Sequence, residues 1–175
     1  MNNLIKLNLG CAKDIKEGYV NIDTCAFNEK VTEMDIRNLQ YKNSTVDEIY
    51  AKDIIEHMPF QESIECLEKW CNLLKPNGSI FIQTICFDSF IESYSLKIWD
   101  INTINYMLFA GINWVDGVTR NEDFHKSIYN KEILEKVLIK NNCSILKVEF
   151  DLIDKNLIDN PYCHNLNIKI NARKN

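Results

Sequence analysis

Acidic residues and one glycine follow short apolar runs in the first third of the chain. Asp23, Asp35 and Asp53 each stand at or just beyond the end of such a run, and Gly10 follows the first run. A carboxylate in this position can accept hydrogen bonds from a ribose diol, and a glycine lets the backbone turn tightly against a ligand. Each carboxylate alone is slightly better explained as a turn or a helix cap. Three of them at consecutive run ends favour a nucleoside site.

The elements that must position these residues alternate between strands and helices. Apolar runs predict five strands, at residues 4–9, 19–23, 31–35, 46–51 and 79–84. After the fourth run, apolar residues recur at helical spacing behind Pro59, and the KPNG sequence at 75–78 predicts the turn that ends this helix. Such alternation is typical of an α/β sheet whose ligands bind at the carboxyl ends of the strands.

The second half of the chain predicts an aromatic segment, a helix and two closing strands. Residues 87–120 are rich in aromatic and apolar side chains and are interpreted as helical or irregular. Asn130 is the expected cap of the helix, and apolar and polar residues alternate over 146–152 and 166–171, as in an antiparallel pair. The predicted fold class is therefore α/β: three layers, with a mostly parallel sheet, an antiparallel C-terminal strand pair and a single domain over 1–175.

Composition and charge exclude several classes of protein. The formal net charge of −5, from 20 basic and 25 acidic residues, argues against a nucleic-acid partner. No run approaches the ~20 apolar residues of a membrane span, and the first residues lack a signal-peptide core, so we expect a cytoplasmic protein without a span. The seven cysteines are scattered, without a C-x-x-C pair or zinc-like spacing, so we expect free thiols and no metal site.

Together these pieces resemble the class I S-adenosylmethionine-dependent methyltransferases. The matching pieces are LNLGCA at 7–12, VNID at 20–23, the pair Asp35-Ile36, VDEIYAKDIIEHM at 46–58 and LLKPNGSIFI at 73–82. The resemblance is strong over the first half of the chain and looser over the closing helix and strands. Within the family, the chain is most similar to small bacterial methyltransferases linked to surface-polysaccharide or modified-sugar biosynthesis.

The resemblance implies a Rossmann-like sheet, S-adenosylmethionine as the cofactor and a role for each matched residue. In chain order the implied cofactor residues are Asn8, Leu9, Gly10, Cys11 and Ala12 for the methionine part, Asp23 and Thr24 for the ribose, Asp35 and Ile36 for the adenine, and Lys52 and Asp53 beside the methyl group. The sequence departs from the family at Ala12, where a second glycine is usual. Only nine residues separate Gly10 from Val20, so the first helix must be short or missing and the cofactor more open on one side.

A hydroxyl or amine acceptor must lose a proton, and histidine is the commonest general base. His125 is the preferred base or acceptor-orienting group, because similar proteins often carry a polar segment with histidine at this place. Asp53 is the second choice. His57 is equally well explained as a helix-start residue bonded to a carbonyl, and His164 is interpreted as structural. The aromatic segment at 87–120 could form the wall of the acceptor pocket, a lid or a homodimer contact, although core packing is the default.

Three functions remain open on the sequence. The first is methyl transfer to a small-molecule or sugar acceptor in surface-glycan biosynthesis. The second is a catalytically inactive cofactor-binding subunit of a larger enzyme, which the short first helix and the lack of an obvious base keep open. The third, a nicotinamide-dependent oxidoreductase, ranks last because the chain lacks a glycine-rich pyrophosphate loop.

Overall fold

A computed structural model describes residues 4–109, 123–151 and 166–175. In this part of the chain the strands are β1 Lys6–Leu9, β2 Val20–Asp23, β3 Val31–Glu33, β4 Val46–Lys52, β5 Leu74–Ile85, β6 Cys143–Phe150 and β7 Asn167–Lys174. The α-helices are α1 Phe60–Leu73, α2 Phe87–Ser95, α3 Ile101–Phe109 and α4 Lys131–Lys140. Short 3-10 helices occupy Ile36–Asn38 and Ile55–His57.

The strands form a seven-stranded sheet in the order β3-β2-β1-β4-β5-β7-β6. The first five are parallel, whereas β7 runs antiparallel to both β5 and β6. The predicted α/β class, with its antiparallel C-terminal pair, is confirmed. Strand order reverses between β1 and β4, so this is the topological switch point at whose carboxyl edge ligands bind in open α/β sheets.

The main core lies between the sheet and the helices α1 and α4. Trp70 and Leu67 of α1 and Leu134 of α4 are buried with alternate residues of the central strands, such as Ile49 and Ile82. Leu67 and Trp70 are three residues apart, which places both on one face of α1, so the sequence pattern and the packing agree. The indole Nε1 of Trp70 also donates to the carbonyl of Ile36 at 3.0 Å, which fixes the chain after β3 against this helix.

The KPNG sequence at 75–78 follows the end of helix α1, as predicted, but it lies inside β5 and not in a turn before that strand. Helix α1 ends at Leu73 and β5 begins at the next residue, so KPNG forms an irregularity within the strand, where the pairing shifts between Val46 and Glu48. Asn77 has φ +66°, and a Cβ at Gly78 would lie 2.9 Å from the carbonyl oxygen of Lys75. Close backbone approach therefore explains the glycine.

The aromatic segment begins with two helices. Over 87–109 the chain forms α2 and α3, which share a small second core with Leu166 around Phe90 and Trp99. The rings of Phe90 and Trp99 meet edge to face with centroids 5.6 Å apart. The remainder of the predicted segment, 110–120, and His164 lie outside the described residues. No helix in the described ranges is long and apolar enough to cross a membrane.

Turns replace a helix between β1 and β2, which confirms that the first helix is missing. Two buried asparagines fix this connection: Asn8 Nδ2 donates to Asn21 Oδ1 at 2.8 Å and to the carbonyl of Asp14 at 2.6 Å. Asn21 Oδ1 also accepts from the backbone N–H of Lys16 at 2.9 Å. Side-chain amides therefore satisfy the backbone groups that a helix would have satisfied by itself.

We predict that Asn21→Ala destabilises the fold by roughly 1–3 kcal/mol, because it leaves the buried Asn8 amide and the Lys16 N–H without their acceptor. Urea unfolding followed by circular dichroism measures the change. Asn28→Ala is the matched control, since Asn28 is exposed and, among the described residues, its side chain accepts only from the Lys30 N–H. Equal stability of the two variants would contradict this account of the loop.

Candidate functional site

The loops after β1, β2 and β4 meet at the carboxyl edge of the sheet. Leu9 pairs with Ile22 on one side and with Ala51 on the other, so the residues that follow these strands are neighbours. Beyond the strand end, the N–H of Cys11 donates to the carbonyl of Ile22 at 3.1 Å. The structure thus brings the predicted glycine, ribose and methyl-group loops together, as their strand-end positions indicated.

Gly10 lies where the β1 and β4 loops touch. Its φ is +62°, and a Cβ built on it would lie 2.5 Å from the side chain of Ile54. Two reasons therefore require glycine at this position. The backbone is in the left-handed region, and Ile54 leaves no space for a Cβ. Ala12 also has a positive φ, +39°, which places a second strained turn in the same loop.

Asp23 links the β1 loop to the end of β2. Its Oδ2 accepts from the N–H of Ala12 at 2.9 Å, while Oδ1 accepts from Thr24 Oγ1 at 3.4 Å and from the Cys25 N–H at 3.2 Å. A carboxylate offers about four acceptor positions, so one remains open, and the two long contacts are exposed and easily exchanged. Asp23 therefore presents a carboxylate with a free acceptor position at this edge of the sheet.

Asp35 is at the predicted place but is engaged by a neighbouring residue. It caps the first 3-10 helix by accepting from the Arg37 N–H at 2.9 Å, and its carboxylate also contacts the Arg37 guanidinium, with Nη2 at 2.7 Å. The Arg37 hydrogen bond holds the pKa of the Asp35 carboxyl below its usual value. The side chain of Ile36 is buried in the core. Neither side chain is presented to a ligand in this conformation.

Lys52 and Asp53 follow β4 on the other side of Gly10. The Lys52 Nζ lies 4.0 Å from a carboxylate oxygen of Asp14, so this side chain links the β4 loop to the loop after β1. Asp53 has φ +51° and accepts from Gln83 Nε2 at 2.9 Å and 3.2 Å, which ties it to β5. Burial raises the pKa of the Asp53 carboxyl above its usual value.

Glu56 is a candidate functional residue that the sequence reasoning missed. Its side chain is 1% exposed, and its Oε2 accepts from Thr84 Oγ1 at 2.9 Å. Burial, reinforced by the negative charge of Asp53, raises the pKa of this carboxyl to about 8. A signal existed in the sequence, because an acidic residue inside the apolar stretch Ile54-Ile55-Glu56-His57-Met58 is a candidate buried acid.

Two of the predicted catalytic residues, His57 and His125, are in contact. Their ring centroids lie 4.9 Å apart and the rings meet edge to face. The segment 123–130 crosses the second 3-10 helix here, since the Lys126 N–H donates to the carbonyl of Glu56 at 2.7 Å and Ser127 Oγ to that of Met58 at 2.9 Å. Burial lowers the pKa of His125 below its usual value, so the ring is neutral near pH 7.

Comparison with known proteins agrees with this geometry. Residues 10–82, less than half of the chain, match the family described as a methyltransferase domain. No curated protein sequence matches the chain significantly. Solved structures are similar over nearly all of it, and one is a SAM-dependent methyltransferase from Methanosarcina mazei, with a TM-score of 0.65 at 14% identity, covering 99% of this chain and 94% of that one.

Two further structures are similar in fold. One is a Haloferax volcanii methyltransferase in complex with the Trm112 activator, with a TM-score of 0.62 at 8% identity, covering 98% of this chain and 82% of that one. The other is the 1,6-didemethyltoxoflavin-N1-methyltransferase of Burkholderia thailandensis with its substrate and S-adenosylhomocysteine bound, with a TM-score of 0.56 at 14% identity, covering 97% and 70%.

The fold is that of the S-adenosylmethionine-dependent methyltransferases. The domain match over 10–82 and this fold together support methyl transfer as the activity and S-adenosylmethionine as the cofactor. The match covers the loops that carry Gly10, Asp23, Asp35 and Asp53, which is the half of the chain where the sequence resemblance is strongest.

We predict that Gly10→Ala destabilises the protein and abolishes binding of S-adenosylhomocysteine. The backbone strain alone costs about 1–2 kcal/mol, and the new methyl group also displaces Ile54. Gly18→Ala is the matched control, because Gly18 has φ +78° but open space around its Cβ position. Thermal unfolding and calorimetric titration measure both effects. Binding by Gly10→Ala that equals binding by Gly18→Ala would contradict the placement of the cofactor against this loop.

Proposed function

We propose that the chain is a methyltransferase that moves the methyl group of S-adenosylmethionine to a small-molecule or sugar acceptor. The observation that carries the proposal is the meeting of Gly10, Asp23 and Asp53 at the switch point of a methyltransferase fold, within the matched residues 10–82. A glycine gives close backbone approach, and the two acids offer acceptors on either side of it.

In this proposal the cofactor lies along the edge from β2 to β4. The loop 8–12 wraps the methionine part, and Asp23 with Thr24 holds the ribose hydroxyls. Asp23 supports this role best, because its Oδ2 is already fixed by the Ala12 N–H and its other contacts are long and exposed. Lys52 and Asp53 border the methyl group from the β4 side.

Adenine binding by Asp35 and Ile36 requires a change of partner. Asp35 must turn from the Arg37 guanidinium toward the amino group of the ring. The side chains of this ion pair are partly exposed, Asp35 at 32% and Arg37 at 49%. Exposed ion pairs are worth only about 0–1 kcal/mol, so a bound adenine can replace this pair at little cost.

The acceptor end of the proposed site is formed by His125, His57 and Asp53. Methyl transfer from a sulfonium is a displacement at an activated carbon, so alignment of donor and acceptor supplies much of the rate. His125 is the proposed base or orienting group, because its buried, neutral ring retains a lone pair near pH 7. Asp53 is the second candidate base, since burial raises the pKa of its carboxyl above the usual value.

We extend the proposal to surface-glycan biosynthesis in the cytoplasm. The glycan assignment is supported by the sequence resemblance alone. The described cysteines are free thiols, as expected in a reducing compartment. Exposed apolar side chains on α2 and α3, among them Phe87, Ile91 and Phe109, offer a surface for a sugar ring or for a second copy of the chain.

A non-catalytic cofactor-binding subunit is the second candidate. The observation that favours it is the turn connection between β1 and β2, which leaves that side of the cofactor edge without a helix. A partner protein could cover it. This candidate keeps the same cofactor residues and predicts no turnover.

Binding of S-adenosylhomocysteine tests the cofactor site. At 100 times its Kd the compound should stabilise the protein by about 2.7 kcal/mol, seen as a higher Tm. Asp23→Ala and Asp35→Ala should lose this shift, whereas Arg37→Gln should keep or increase it, because it releases Asp35 for adenine. Glu33→Gln, an exposed acid on β3, is the control. No shift in the unmodified protein at millimolar ligand, together with no heat of binding, would refute the proposal.

Turnover separates the two candidates. Labelled S-adenosylmethionine incubated with sugar nucleotides and with small hydroxyl or amine compounds should give a methylated product in mass spectrometry. His125→Asn should lower the rate about 10²-fold while the S-adenosylhomocysteine shift is retained, since a general base contributes on the order of 10²–10⁴. Intact cofactor binding without product from any acceptor would favour the non-catalytic subunit.

A further inference from the structure

Glu56, His57 and His125 form a mixed cluster of one carboxylate and two imidazoles beside the proposed cofactor edge. One nitrogen or oxygen from each side chain lies within 4.8 Å of the others. Two histidines and one carboxylate are the donor set of many sites for divalent transition metals. The scattered cysteines led us to expect no metal site, and these residues are not spaced like any zinc motif in the sequence.

The surroundings of His125 leave one of its ring nitrogens open. Its Nδ1 is buried and has no hydrogen-bond partner among the described residues. The carbonyl groups of Met107 and Leu108, at the end of α3, hydrogen-bond to the ring and therefore act on Nε2. A backbone carbonyl on the second nitrogen is usual for a metal-binding histidine, because it fixes the tautomer and presents the other lone pair.

Glu56 is oriented in the same way as a ligating acid. Its carboxylate is almost completely buried and is held by the Thr84 hydroxyl, and outer hydrogen bonds of this kind orient carboxylate ligands. The backbone bonds from Lys126 and Ser127 to the Glu56 carbonyl fix the segment of His125 on that of Glu56. The three side chains are thus brought together by backbone contacts that do not depend on an ion.

We propose that Glu56, His57 and His125 bind one divalent first-row transition cation, and that this ion holds the methyl acceptor by its oxygen atoms. Donor atoms lie roughly 3 Å apart around an ion with bonds of about 2.1 Å. The three donor atoms, which lie within 4.8 Å of one another, would have to move closer together around the ion. Three protein ligands leave coordination positions open, which suit an acceptor with two adjacent oxygens, such as a vicinal diol or a hydroxy acid.

The ion changes the part that His125 plays in the reaction. The Nδ1 lone pair is taken up by the metal, so His125 positions the ion and takes no proton. The ion-bound hydroxyl releases its proton to water, its oxygen forms the bond to the methyl carbon, and the electron pair of the broken carbon–sulfur bond stays on the neutral thioether. This step rests on the proposed function, whereas the binding of the ion does not.

Manganese binding by the metal-stripped protein tests the site without any cofactor. We expect electron paramagnetic resonance titration to give one Mn²⁺ per chain, with pulsed spectra that show coupling to two imidazole nitrogens. His125→Asn should weaken binding at least tenfold. Glu65→Gln, an exposed acid on α1, and Cys25→Ser, which removes an exposed thiol, should bind as the unmodified protein does.

The imidazole coupling is measured on the unmodified protein, so the test stands even where His125→Asn fails to fold. Acetohydroxamate, a probe with two adjacent oxygens, should change the visible spectrum of the Co²⁺-loaded protein. No Mn²⁺ binding at 1 mM, no nitrogen coupling, or unchanged affinity in folded His125→Asn would overturn the site. An unchanged Co²⁺ spectrum would overturn the acceptor role. A missing S-adenosylhomocysteine shift with intact Mn²⁺ binding would refute the proposed function alone.

Discussion

The parallel pairing of β1 with both β2 and β4 is the constraint on which the site depends. Parallel strands have their carboxyl ends at the same edge of the sheet. At the switch point, the loops that follow neighbouring strands turn in opposite directions. The β1 loop must then pass against the β4 loop, and the gap between them admits no Cβ at Gly10, because Ile54 already fills it. Asp23 joins the β1 and β2 loops through the Ala12 N–H.

Features fixed by local sequence could be predicted, and features fixed by distant contacts could not. The carboxyl ends of β1 and β2, the turn at Gly10, the place of Asp23 at the end of β2 and the missing first helix follow from apolar runs, a glycine and a short spacing. The irregularity at 75–78 depends on how β4 and β5 pair, which a single segment does not record. Asp35 and Arg37 stand two residues apart in the sequence, but their ion pair depends on the 3-10 turn that aligns the two side chains.

The cluster around Glu56 also shows why sequence spacing misses some sites. Glu56 and His57 are adjacent, but His125 is far along the chain and reaches them only because residues 123–130 bind the carbonyls of 55–58. The aromatic segment contributes in the same way, through carbonyls at the end of α3 that act on His125. A region expected to form a wall, a lid or a core thus supplies backbone carbonyls that accept hydrogen bonds from His125 in the proposed site.

The missing helix between β1 and β2 has a second consequence, on the sheet face opposite α1. Tyr50 and Phe81 point to that face, because Ile49 and Ile82 beside them are buried in the main core. Their rings stack at 4.6 Å, and the Lys16 ammonium lies 3.9 Å from the Tyr50 centroid. Amphipathic side chains cover apolar surface while their polar ends stay in water. Through Lys16, the β1–β2 turn thereby covers part of the face on which a helix would otherwise pack. It also leaves the proposed cofactor edge beside Asp23 accessible.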